Sequence, residues 1–150
     1  IRKAVKDMEK DEPIRRCPIC QPIPGGDIIG FREPGGHVVV HRRSCPSIIE
    51  QASQAGDSVV NVEFKDDPDV HYPVTVSIRA IDRYHLLMDI IEKISNGLGL
   101  SIDSMTTTTK DDIVDCSITF LVHSVKELVF ALQSLYEIEG IEEVKGEGIR

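Results

Sequence analysis

The sequence lacks tryptophan, is poor in aromatic residues and has no long apolar run. Aromatic side chains make up 5% of its 150 residues. No hydrophobic stretch approaches the roughly 20 residues that a membrane-spanning helix needs, so we expect no membrane contact. The first residues, Ile1-Arg2-Lys3, show neither an initiator methionine nor a cleavable signal pattern. We therefore expect an excised fragment of a cytoplasmic protein.

Motifs of catalysis are also missing. The sequence contains no Walker loop, no paired catalytic carboxylates and no Ser-His-Asp pattern. Hydrophobic residues nevertheless make up 41% of the chain and charged residues 28%, which excludes a disordered tail. We predict a folded fragment that has no active site of its own and is not itself an enzyme.

Charge is distributed unevenly along the chain. Residues 1–50 hold nine Lys/Arg and seven Asp/Glu, whereas residues 51–150 hold eight and eighteen. Such asymmetry indicates two units with different partners. Because the acidic part should repel phosphate backbones, any nucleic-acid contact is expected in the first third.

The turn formers and hydrophobic patterns divide the chain near residue 70. We predict the end of an upstream helical linker over residues 1–12 and a small domain over 13–70. Dense Pro and Gly residues leave room there only for short elements, predicted as strands at Asp27–Arg32, His37–His41 and Ser58–Phe64 and a helix at Ser47–Ala55. Gly35-Gly36 is the predicted hairpin turn.

Residues 71–150 have a much more regular hydrophobic pattern, which predicts the element order β-α-β-β-α-β. Alternating apolar residues predict strands, and the repeat from Leu86 to Leu98 predicts a helix capped by Asp82. A second helix follows Ser124. Right-handed crossovers give a four-stranded antiparallel sheet with both helices on one face. The predicted fold class is therefore α+β, a small β-rich Cys/His domain followed by a ferredoxin-like domain.

Three cysteines and a histidine have the spacing of metal ligands. Cys17 and Cys20 form a C-x2-C pair, and His41 and Cys45 lie four apart. Three sulfurs and one imidazole are a known structural zinc set, and a domain of this size has little core of its own. One Zn²⁺ is the predicted cofactor.

Other interpretations of these residues remain open. Cys17 and Cys20 are alternatively buried thiols, His37 is a second candidate imidazole, and catalysis by Cys45 with His41 is conceivable on paper. Cys116 fits the apolar face of a strand. Five arginines could converge beside the cluster and contact phosphates, or form an ordinary solvated face. They are Arg15, Arg16 and the three that we predict to bind RNA, Arg32, Arg42 and Arg43.

Two stretches resemble the C-terminal region of RelA/SpoT-type (p)ppGpp synthetase/hydrolases. They are Cys20-Gln-Pro-Ile-Pro-Gly-Gly-Asp27-Ile-Ile-Gly-Phe31 and Gly36-His-Val-Val-Val-His41-Arg-Arg-Ser-Cys45-Pro. In that family a zinc-finger or RIS domain precedes an ACT domain, so the resemblance covers about residues 13–150.

The resemblance assigns ligand positions to Cys20, His41 and Cys45. The family usually has two adjacent cysteines, whereas here Ile19 stands at the first position and Cys17 lies two residues earlier. The ACT turn, Asp-Arg-x-Gly in the family, contains Asp82, Arg83 and His85, which we predict as ligand-binding residues. His85 stands at the Gly position, and its side chain hinders close approach of a ligand to the backbone.

The resemblance implies a non-catalytic regulatory fragment that controls alarmone synthesis or hydrolysis in the stringent response. It implies contact with the upstream catalytic domains of a GTP pyrophosphokinase, and with ribosome and tRNA, or self-association as a homodimer through the ACT sheet. The alternative is an ACT-type sensor that binds a small amino acid at a dimer interface.

Overall fold

The computed structural model describes residues 5–6, 14–64 and 67–146, and the chain divides into two compact units. The first unit comprises the described residues up to Val70, with His123–Val125. The second comprises His71–Val122 and the described residues from Lys126 onward. Among the described residues no helix is long and apolar enough to cross a membrane.

The first unit is built mainly from short strands. Its described strands are β1 Val5–Lys6, β2 Ile14–Arg16, β3 Ile28–Arg32, β4 Val38–Arg42, β5 Val59–Val60 and β6 Glu63–Phe64. Helix α1 spans Pro46–Gln54, and a 3₁₀ turn follows at Gly56–Ser58. One sheet has the order β2-β4-β3-β5, and β1 pairs with β6.

The centre of this unit is the hairpin β3–β4, as predicted. Gly36 takes a left-handed φ of 91° at the turn, where a side chain would be strained. Gly30 pairs with Val60 of β5, and an added Cβ would come within 2.9 Å of Val60 Cγ2 and 2.5 Å of Val62 Cγ1. Strand β2 pairs in parallel with β4, with Ile14 opposite Val38 and Arg16 opposite Val40.

Two predictions for the first unit differ from the structure. Val5–Lys6, expected in a helix, form a strand antiparallel to Glu63–Phe64; the rest of residues 1–12 lies outside the described residues. The strand expected at Ser58–Phe64 is divided into β5 and β6. Each of the two pairs with a different strand, β3 or β1, so one continuous strand cannot serve both.

The second unit is a four-stranded antiparallel sheet in the order β10-β7-β9-β8. Its elements are β7 Tyr72–Ile81, α2 Leu86–Glu92, β8 Ile102–Lys110, β9 Ile113–Val122, α3 Val125–Leu135 and β10 Ile141–Gly146. Alternate residues of β7 and β9 are buried, so one face of the sheet packs under the helices and the other faces outward. The predicted ferredoxin-like order is confirmed.

The start and end of α2 differ from the prediction. Asp82 does not cap the helix; its N–H donates to the Asp112 carbonyl at 2.8 Å. The helix instead begins after His85, which has a left-handed φ of 68°. It ends in a π-helical turn at Lys93–Gly97, where the Leu98 N–H donates to the Lys93 carbonyl.

Candidate metal centre

The four predicted ligands converge in the first unit. Their donor atoms all lie within 4.8 Å of one another; the residues are Cys17, Cys20, His41 and Cys45, called the Cys/His cluster below. In a tetrahedral zinc–thiolate site, Zn–S bonds of about 2.3 Å place two sulfurs about 3.8 Å apart. The cluster therefore needs only about 1 Å of contraction to fit such an ion.

Two turns and one strand position the four donors. Cys17 follows β2, and its N–H donates to the Val40 carbonyl at 2.9 Å, which aligns it with the end of β4. His41 belongs to β4, and Cys45 directly precedes α1. The segment Cys17–Gln21, called the knuckle below, closes with the Gln21 N–H donating to the Cys17 carbonyl.

His41 supplies a specific sign that a ligand belongs here. The residue is only 3% exposed, and neither ring nitrogen has a hydrogen-bond partner among the described residues. An unsatisfied buried polar group costs about 1–3 kcal/mol. Burial also lowers the pKa of His41, so the imidazole is neutral and has a lone pair for an ion.

The thiols of the cluster differ in acidity. Burial raises the pKa of Cys20 to about 12, although the Arg42 N–H donates to its sulfur at 3.2 Å. Burial alone would also raise the pKa of Cys45. Hydrogen bonds from the backbone N–H groups of Ile48 and Ser47, in the first turn of α1, together with those from the Cys20 and Cys17 thiols, outweigh burial and lower the pKa of Cys45.

The three cluster cysteines are free thiols, so the donor set is intact. Soft thiolates with one imidazole suit Zn²⁺ better than Ca²⁺ or Mg²⁺. The residues present therefore fit a structural zinc ion. His37, the alternative imidazole, is not in the cluster, and Cys116 is buried in the sheet of the second unit.

The predicted RNA-binding arginines do not form a single group. Arg42 and Arg43 lie between His41 and Cys45, and the Arg43 guanidinium pairs with Asp27 at 2.7 Å. Arg32 is at the other end of the hairpin, since it pairs with Val38 while Arg42 pairs with Ile28. Four residue steps along a strand separate these ends by about 13 Å.

Arg32 was predicted as an RNA-binding residue and Arg16 was not, but in the structure Arg16 is the one adjacent to the Cys/His cluster. Arg16 immediately precedes Cys17, and its Nη1 donates to the Pro22 carbonyl at 2.9 Å. Arg16 is thereby attached to the residue that directly follows the knuckle. The signal for this was the position of Arg16 beside a ligand.

The predicted ligand-binding residues of the second unit have structural partners. Arg83 donates to the carbonyls of Glu139 and Tyr84 and pairs with Asp89 at 2.7 Å. His85 Nδ1 is 3.8 Å from an Asp89 oxygen. An open cavity of about 620 Å³ lies beside them, lined in part by Arg83, Asp89, Lys93, Asn96 and Glu137.

Comparisons with known proteins define the class of each unit. The model of the ACT domain family matches residues 68–145, more than half of the chain. The model of the RelA/SpoT RIS domain matches residues 3–65. The chain thus combines a RIS domain that contains the Cys/His cluster with an ACT domain.

Two relatives match most of this chain and a small part of their own length. The bifunctional (p)ppGpp synthase/hydrolase RelA of Mycobacterium tuberculosis is 29% identical over 125 residues, which cover 83% of this chain and 17% of that protein. The GTP pyrophosphokinase of Escherichia coli K12 is 30% identical over 132 residues, covering 85% and 17%. The chain belongs to the RelA/SpoT family, of which it carries the regulatory RIS and ACT domains, and it spans about one sixth of the length of these relatives.

Among solved structures, the ACT domain from the GTP pyrophosphokinase of Chlorobium tepidum aligns with 51% of this chain. The alignment covers 99% of that domain, with a TM-score of 0.46 and 17% identity.

Proposed function

We propose that this chain is a non-catalytic regulatory module whose first unit, held by one zinc ion, contacts ribosomal RNA and whose second unit self-associates. Such contacts control alarmone synthesis or hydrolysis by catalytic domains elsewhere in the parent protein. Shifting an enzyme between two states requires only that the contacts differ in free energy between them.

The observation that carries the RNA contact is the charge around the cluster. The two segments that supply all four ligands, residues 14–24 and 39–49, contain four arginines and no carboxylate; these are Arg15, Arg16, Arg42 and Arg43. The whole chain, in contrast, has a net charge of −8. Three thiolates and Zn²⁺ sum to −1, which leaves this region cationic.

The ion pair between Arg43 and Asp27 does not prevent phosphate binding. Both side chains are more than half exposed, and exposed pairs are worth about 0–1 kcal/mol. A phosphate oxygen can therefore replace the Asp27 carboxylate. Binding to phosphates releases counterions from the RNA, so the affinity should fall as the salt concentration rises.

Binding to purified ribosomes at several KCl concentrations tests the RNA contact. We expect affinity to fall as salt rises, and Arg42→Glu/Arg43→Glu to abolish binding while the zinc content stays at one equivalent. The control variant is Arg32→Glu, at the far end of the hairpin, which should have a much smaller effect. Binding that is absent, or independent of salt, would refute the proposal.

The edges of the second sheet support self-association. Strand β8 spans nine residues, almost all exposed, and includes four successive threonines at 106–109. Strand β10 at the other edge is shorter and has three charged side chains among six residues, features that discourage pairing. The irregularity of β8 lies at its start, between Ile102 and Ser104, and leaves the stretch from Ser104 to Lys110 regular. A second copy can add its β8 to this β8 and extend the sheet.

Sedimentation of the zinc-loaded chain tests this arrangement. The double variant Thr106→Lys/Thr108→Lys places like charges along β8, so it should shift a dimer to monomer. The control Glu142→Lys alters the opposite edge and should leave the dimer intact. A wild-type monomer at high concentration would contradict the self-association.

A sensor of a small amino acid is the second candidate function, and the cavity beside Arg83 favours it. Both cations that line the cavity are already paired, Arg83 with Asp89 and Lys93 with Glu137. The carboxylate of a zwitterion would have to compete for them. Calorimetric titration with branched-chain and other amino acids decides between the candidates. Heat at submillimolar ligand supports the sensor, and its absence leaves the RNA-contacting module.

A further inference from the structure

The tip of the knuckle carries a large apolar side chain in an unusual setting. Ile19 lies between the ligands Cys17 and Cys20 and is 73% exposed. The resemblance to the RelA/SpoT family places a cysteine at the position of Ile19. Because Cys17 supplies the donor here, position 19 is free to face outward.

The backbone beneath Ile19 is constrained on both sides. Cys17 is buried and hydrogen-bonded to β4, and Cys20 accepts the Arg42 N–H. The Gln21 N–H closes the turn, and Gln21 has a left-handed φ of 44°. A side chain on so constrained a turn loses little further conformational entropy when it binds a partner.

Around this apolar tip, the nearby charges are cationic. The Arg16 guanidinium donates to the carbonyl of Pro22, which directly follows the knuckle, and the backbone N–H of Arg42 joins that residue to Cys20. Residues 14–24 contain no acid. An apolar contact beside guanidinium groups matches the chemistry of an unpaired nucleotide, whose base offers a flat apolar face and whose flanking phosphates are anionic.

We propose that Ile19 packs against one unpaired base of a structured RNA while the neighbouring arginines hold the flanking phosphates. This inference rests on the proposed RNA contact and adds to it a preference for extruded bases over a continuous helix. A helix buries its base faces in the stack, so it offers the phosphates but no site for Ile19.

Two RNA hairpins with identical stems, one of which carries a single extruded base, test the inference on the zinc-loaded chain. We expect the wild type to bind the bulged hairpin about tenfold more tightly, since burial of one isoleucine side chain against an apolar base face is worth roughly that factor. Ile19→Ala should remove the preference and leave the slope of affinity against salt unchanged. Arg42→Ala/Arg43→Ala should instead weaken binding to both hairpins and reduce that slope.

Ile49 provides a matched control, because it is an isoleucine of the same unit that is 59% exposed on α1. Ile49→Ala should keep the tenfold preference. Zinc content and the circular dichroism spectrum of each variant exclude a folding defect, which we do not expect at such exposed positions.

Equal binding of the two hairpins, or binding of neither, would overturn the inference. Equal effects of Ile19→Ala and Ile49→Ala would also overturn it. A defect of Ile19→Ala that is seen with ribosomes only would overturn it as well, because it indicates a protein pocket as the partner. Failure of the proposed function looks different. A chain that ignores ribosomes but retains the Ile19-dependent hairpin preference would refute the ribosome contact and support the base contact.

Discussion

The two units of this chain reach stability by different routes. The second unit buries one whole face of a sheet under two helices, with fully enclosed side chains such as Ile78, Ile90, Ile118, Phe120 and Leu128. One buried cluster of the first unit has four members, Cys17, Phe31, Cys45 and Ile48. Two of those four are proposed ligands, so the metal site forms part of the core of the first unit.

Removal of the metal should produce the largest contrast between the units. Chelation of zinc, or Cys20→Ser, should unfold the first unit and leave the second folded, because a structural zinc site contributes on the order of 10 kcal/mol. Hydrogen exchange resolved by segment measures both units in one sample. Cys116→Ala, at a buried thiol of the second unit, should retain one equivalent of zinc. A first unit that stays protected without metal would remove the basis of the comparison.

A core substitution in the second unit should have the opposite effect and destabilise that unit while sparing the first. Phe120 is fully buried in β9, and truncation of such a side chain to Ala costs about 3–5 kcal/mol. Phe120→Ala should lower the melting temperature of the second unit and leave zinc content unchanged. Phe130→Ala, at an exposed position on α3, should change the stability by less than about 0.5 kcal/mol. Loss of zinc in Phe120→Ala would mean that the units do not unfold independently.

Acid should weaken zinc binding by the first unit. Burial raises the pKa of Cys20 to about 12, so in the metal-free chain this thiol is protonated at neutral pH and zinc must displace its proton. Zinc affinity should therefore rise with pH by at least about tenfold, or 1.4 kcal/mol, per unit between pH 6 and 8. Competition with a chromophoric chelator measures it. An affinity that does not change with pH would contradict a thiolate site.

The smallest effect should distinguish two arginines of the second unit. Arg83 makes three bonds, one to the Glu139 carbonyl in the turn before β10, one to the adjacent Tyr84 carbonyl and one to Asp89 in α2. Arg83→Ala should therefore cost about 1 kcal/mol. Arg79 forms one exposed pair with Asp115 at 3.2 Å, so Arg79→Ala should cost less than about 0.5 kcal/mol. Urea denaturation of the second unit compares them. Equal losses would show that the Arg83 bonds add nothing to stability.

Regular patterns were the predictable part of the fold. The alternation in β7 and β9 and the helical repeat of α3 are long enough to specify both type and order. The turn at Lys110-Asp111-Asp112 was likewise predictable, and both aspartates have the positive φ of a tight hairpin turn. The Cys/His cluster was predictable because its ligands form two pairs that are close in sequence, Cys17 with Cys20 and His41 with Cys45.

What sequence reasoning missed depends on register and on local backbone conformation. Strand β2 has three residues, too few for an alternating pattern, and its partner lies far along the chain. Arg32 was grouped with Arg42 because the two ends of a hairpin are distinguished only by strand register. Asp82 has the residue type of a helix cap, yet its N–H is engaged by the turn at Asp112, which periodicity cannot reveal.

The parallel pairing of β2 with β4 has a consequence for the order of folding. Ile14 meets a partner 24 positions further along the chain, whereas the hairpin β3–β4 closes across a tight turn. The hairpin should therefore form first and offer an edge on which β2 docks later. Cys17 and Cys20 arrive with β2, so His41 and Cys45 must wait for the other two donors. With Co²⁺ as a coloured substitute ion, full thiolate absorption should appear only in the last refolding phase.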